Sequence, residues 1–149
     1  MVFFKKLKIV LLGAVLAMVG QTACAANGDK AGYPESVVYH VNDSAVAGAA
    51  MKNIKIHMAT NPQVKIVLVT HGNGIDFLLE GAVDDKGNPY STRVQELTAK
   101  GVTFDVCEKT LVTRNIDPKK VLMEAVIVPS GVAEVARLQS QEHFVYFKP

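Results

Sequence analysis

The feature that most constrains this chain is the alternation of short, almost wholly apolar runs with segments of helical spacing. Ile66-Val67-Leu68-Val69 has no polar residue to turn toward water, and neither has Ala125-Val126-Ile127-Val128. Runs of this length and β-branched content read as strands, and the first of them, within 64–70, is what a strand covered on both faces looks like. Between such runs stand amphipathic stretches. Val46, Ala50, Ile54 and Met58 share one face of a helix over 45–60, which Asn61-Pro62 ends. A second helix ends near Lys100 at Gly101. Its start is ambiguous between a cap at Asn88-Pro89 and a capping box from Thr92 to Gln95. A third runs from about Val132 to Ser140 behind Pro129-Ser130-Gly131.

The remaining strands are Ser36–Val41, Val102–Cys107 and Phe144–Phe147, with short helical pieces at 75–79, 110–115 and 118–123. Five strands separated by helices predict an α/β fold, a three-layer α/β/α domain with a mostly parallel sheet. There is no internal repeat and no second-domain boundary, so one domain is expected over 36–149.

The first residues are of another kind. Lys5, Lys6 and Lys8 precede an apolar run from Ile9 to Gly20, and Ala23-Cys24-Ala25 fits a small-x-small cleavage site. Residues 1–25 therefore read as a secretory signal peptide and 26–35 as a flexible leader. Lipidation of Cys24 and retention as an anchor are the alternatives. Gln21 fits a lipobox badly, and the run is shorter than the roughly 20 residues a span needs. The whole chain of 149 residues has a net charge of +2, but cleavage leaves thirteen basic against fourteen acidic side chains. The basic balance belongs to the signal peptide, so no nucleic-acid partner is implied and no membrane association after cleavage. The expected location is the periplasm. One cysteine, Cys107, remains, and it cannot form an internal disulfide.

In parallel sheets, ligands and chemistry gather beyond the carboxyl ends of the strands. Here those ends carry Asn42, His71-Gly72-Asn73, Cys107 and Ser130. Cys107 reads either as a small core residue or as a thiol at a helix start, where backbone N–H groups favour the thiolate. His71 is a structural imidazole or a base beside the thiol. Gly72-Asn73-Gly74 forms a tight turn or an anion cradle, and Ser130 caps the last helix. His40, His57 and His143 read as structural. No metal-ligand spacing, nucleotide fingerprint or nucleophile elbow is present, so no metal or cofactor is expected.

The segment Lys100-Gly-Val-Thr-Phe-Asp-Val-Cys107-Glu-Lys-Thr-Leu111 resembles the cysteine-bearing strand and turn of the DsrE/DsrF-like family. Val128-Pro-Ser-Gly-Val132, Gln139, the terminal Tyr146-Phe-Lys-Pro149 and the strand end Val69-Thr-His71-Gly72 are similar to the same proteins. The resemblance implies a compact α/β/α fold assembled as trimers or hexamers. It also implies a cysteine, here Cys107, that carries sulfur as a persulfide, with a small sulfur species or a sulfur-carrier protein as partner. Such relays are cytoplasmic, whereas this chain carries an export signal. The expected function is an exported sulfur-handling or thiol-redox carrier, with Cys107 and His71 reactive and Asn42, Gly72, Asn73 and Ser130 binding the ligand. Whether it is an enzyme is open. The alternative is a non-catalytic ligand-binding or assembly module with a structural cysteine. A flavodoxin-like nucleotide binder lacks the phosphate loop.

Overall fold

The computed structural model describes residues 32–149. The expected signal peptide, and the leader up to residue 31, lie outside the described residues. The elements run β1 (Glu35–Asp43), α1 (Ala47–Thr60), β2 (Val64–Asn73), α2 (Tyr90–Thr98), β3 (Thr103–Cys107), α3 (Glu108–Thr113), β4 (Ala125–Val128), α4 (Gly131–Gln141) and β5 (Val145–Phe147). Single 3-10 turns at Ser44–Val46, Asp76–Leu78 and Pro118–Lys120 punctuate them.

The five strands form one sheet in the order β4-β3-β2-β1-β5, and every pairing is parallel. The steps from β1 to β4 all move the same way across the sheet, whereas the step from β4 to β5 goes back across it. Right-handed crossovers therefore place α1, α2 and α3 on one face and α4 on the other. Side-chain alternation sorts the core accordingly. Val37, Tyr39, Val41, Ile66, Leu68, Phe104 and Val106 pack with Ala50, Ile54, Val94, Leu97 and Leu111. On the opposite face Val38, Val67 and Val69 meet Val135, Leu138 and Phe144. β2 is buried on both faces, as its unbroken apolar run predicts. Among the described residues no helix is long and apolar enough to cross a membrane.

Two local expectations are corrected, and the sheet supplies the place of β4. β2 does not turn at His71; it runs on through Gly72 and Asn73, because a bulge in β2, with His71 and Gly72 opposite Asn42, lets Asn73 pair with Asp43. The second long helix starts at Tyr90 with neither expected cap, since Asn88 is held by the Asp84 carboxylate. β4 is as apolar as expected but stands at the sheet edge, with Val126 51% exposed.

Candidate functional site

Cys107 closes β3 and is the residue before α3. Its side chain follows the parity of Asp105, opposite to Phe104 and Val106, and so faces α4. The thiol is buried, at 5% exposure. Burial pushes its pKa up, but the N–H of Gly131, the hydroxyl and N–H of Thr110 and the N–H of Lys109 together outweigh it and hold the thiol below its usual range. No formal cap hydrogen bond forms. The amides nevertheless lie where they favour charge on sulfur, as at other helix starts. The charged groups of Glu108 and Lys109 have no share in the shift.

The contact with Gly131 depends on the absence of a side chain. A Cβ there would lie 2.8 Å from the Thr70 carbonyl oxygen and 3.2 Å from the Cβ atoms of both Cys107 and His71. One point thus touches the ends of β2 and β3 and the start of α4, and it sets Cys107 and His71 side by side on neighbouring strands. Ser130 does what its position predicts, its hydroxyl accepting from the Ala133 N–H at the start of α4.

His71 is half-buried, and its ring lies 4.8 Å, centroid to centroid, from that of His40 on β1. His40 Nδ1 is 2.8 Å from the Tyr146 hydroxyl on β5. Burial lowers the pKa of both imidazoles, and the Lys148 ammonium lowers both further. Cys107, His71, His40 and Tyr146 therefore form a row across β3, β2, β1 and β5 on the α4 face.

The other predicted residues are placed less tightly. Asn42 is exposed opposite the β2 bulge, and Asn73 is exposed at the end of β2. Gly72 adopts φ +58°, a conformation favouring glycine. Its N–H donates to the Thr110 hydroxyl and its carbonyl accepts from Arg114, while the Gly74 N–H donates to the His71 carbonyl. Two N–H groups of the expected cradle are thus engaged inside the protein. His57 is tied to Glu35 and Tyr39, a structural role as expected.

Three contributors escaped the sequence reading. Thr110 reaches both Gly72 and Cys107, and Cys-x-x-Thr across a strand-to-helix junction was the available signal. His40 shares strand parity with Val38, which places it on the α4 face. Asp105 is buried two residues before Cys107, beneath the Glu134–Arg137 pair of α4. Burial first, and then the Glu134 charge, push its carboxyl up to about 7, against the opposing effect of Arg137. Among the described residues no three His, Cys, Asp or Glu side chains are grouped to hold a metal ion.

The fold and this row define a class: a parallel α/β/α domain with one thiol at a strand end, facing the amide of a helix packed on the opposite layer from its neighbours. The chain belongs to the DsrE/DsrF-like family, whose model matches residues 36–147, a family associated generally with sulfur relay. It is similar to a solved protein of unknown function, MTH1491 from Methanobacterium thermoautotrophicum. That likeness has 30% identity and a TM-score of 0.69, and covers 77% of this chain and 99% of that one. The ychN protein from E. coli shares the fold alone, at 14% identity and a TM-score of 0.60, over 77% of this chain and 100% of that one. No curated protein sequence matches.

Proposed function

We propose that this protein is an exported sulfur carrier in which Cys107 accepts and holds a persulfide. The observation that carries the reading is the lowered thiol pKa at the junction of β3, α3 and α4, beside the His71 imidazole. The Cys107 thiolate attacks the outer sulfur of a donor persulfide or polysulfide. A new S–S bond forms at Cys107 as the donor's own S–S bond breaks, and the bond pair leaves with the donor as its thiolate. No external oxidant is needed. The amides that favour the thiolate would equally favour the persulfide anion, and His71 would exchange the proton.

The 5% exposure of Cys107 favours a second reading, a binding or assembly module with a structural cysteine. Intact mass after brief exposure to polysulfide separates the two. The carrier gains one reductant-labile sulfur atom per chain, and Cys107→Ser gains none. A wild-type thiol that gains nothing and resists alkylation in the native protein supports the module instead. The same spectrum from exported protein would show a chain beginning at Ala26 if the signal peptide is cleaved as proposed.

Assembly into a homo-oligomer, a trimer or hexamer, is part of the proposal. Both sheet edges support it. β4 exposes Val126 and Ile127 next to Met123, and β5 exposes Val145, Tyr146 and Phe147. Parallel edges whose strands carry apolar side chains, with charges only at their flanks in Glu124 and Lys148, invite a partner. Light scattering behind gel filtration should give three or six chain masses. A monomer at all concentrations refutes the assembly.

A further inference from the structure

The imidazole row holds an observation that the thiol chemistry does not use. Nε2 of His40 and Nε2 of His71 are both buried, and neither has a hydrogen-bond partner among the described residues. An unpaired buried ring nitrogen loses its hydration without compensation, and two on neighbouring rings call for an occupant. We infer that a small oxyanion binds between the imidazoles of His40 and His71, at the carboxyl ends of β1 and β2 on the α4 face, with Tyr146 and Lys148 beside it.

The surroundings select the charge of the ligand. Val135 and Leu138 of α4 pack on Val38, Val67 and Val69, and His40 and His71 lie beyond them toward the carboxyl ends of their strands. Besides burial, His71 and the Lys148 ammonium act on His40 and the Lys148 ammonium acts on His71; no carboxylate is among the causes for either ring. When the Tyr146 hydroxyl donates to His40 Nδ1, the proton of that ring sits on Nε2 and is offered as a donor. Imidazole N–H groups, a phenol and an ammonium without a facing carboxylate suit an anion. The ammonium repels a metal cation, and no third ligand stands by among the described residues. The half-buried rings turn to meet the anion, gaining charge-assisted hydrogen bonds in place of orphaned atoms.

This site shares His71 with the sulfur-carrier reading but does not depend on it, so the test uses the Cys107→Ser protein, which has no thiol to load. Inorganic sulfate, thiosulfate and phosphate are titrated separately, with chloride at matched ionic strength as the control. Imidazole resonances are followed in proton–nitrogen NMR spectra. The expected result is a saturable shift of the His40 and His71 rings with at least one oxyanion. Lys148→Ala and His40→Gln should each weaken it roughly tenfold. Preference for the sulfur anions or for phosphate then names the natural source. Shifts no larger than those with chloride, or an affinity untouched by both substitutions, overturn the site. They leave the sulfur loading of the wild-type thiol as a separate question.

Discussion

Replacing Gly131 by alanine is expected to destabilise the domain and to disarm Cys107 together. The added methyl meets the Thr70 carbonyl oxygen at 2.8 Å and the Cβ atoms of Cys107 and His71 at 3.2 Å. None of these is the loose end of a flexible side chain, so relief must come from moving the start of α4 off the sheet. Overpacking of this kind costs about 1–3 kcal/mol, and denaturant unfolding would read it as a lower midpoint with an unchanged slope. The same displacement takes the Gly131 N–H away from the sulfur, the strongest of the contacts opposing burial there. The alkylation rate of the variant thiol should then rise only at higher pH than in the wild type. Ser130→Ala removes the cap without adding a methyl at the junction, and it separates a loosened helix from a lost sulfur contact. A Gly131→Ala variant with wild-type stability and an unmoved thiol titration would refute the role given to this junction.

Asp105→Asn is expected to stabilise the protein in alkaline solution and to leave it unchanged in acid. The carboxyl titrates at about 7 in the fold against a reference value of 3.8, chiefly because burial disfavours its charge. Below the unfolded value the residue is neutral in both states and carries no penalty. Between the two values unfolding releases a proton, so stability falls as pH rises, and above the folded value the whole penalty is present. Its size is on the order of 4 kcal/mol as an upper bound, before allowing for the cost of burying the amide. Urea unfolding at acid, neutral and alkaline pH would therefore show curves that converge in acid and separate in base. Equal stability of the two proteins in base would mean that the Asp105 charge is accommodated. Arg137, which already lowers its pKa, is the group positioned to do so.

The sequence signals that read correctly are those that local chemistry controls. The run Ile66–Val69 announced a strand covered on both faces, and the structure buries all four residues. The spacing of Ala50 and Ile54 announced the buried stripe of α1. Ser130 before a helical segment announced a cap, because an N-cap hydroxyl bonds to amides within its own first turn. The errors fell where one segment answers to another. A Gly-rich stretch after His71 reads as a turn, yet a bulge there lets β2 go on pairing with the end of β1. The apolar run at 125–128 could not announce an edge strand, since strand order is a property of all the crossovers together.

The candidate site divides in the same way. Sequence by itself placed Cys107 and His71 at strand ends, a consequence of parallel topology that needs no coordinates. It also placed them in the family to which the chain belongs. Only the tertiary structure decided what lies against them: Gly131 from an element more than twenty residues further along, Thr110 bridging to Gly72, and His40 and Tyr146 from strands at opposite ends of the chain. The physical reason is range. Capping, periodicity and burial of a run are settled within a few residues, as is the share of Lys109 and Thr110 in the thiol's acidity, whereas the Gly131 contact, the orphaned imidazole nitrogens and the raised Asp105 carboxyl depend on groups brought together by packing, with no spacing in the chain to foretell them.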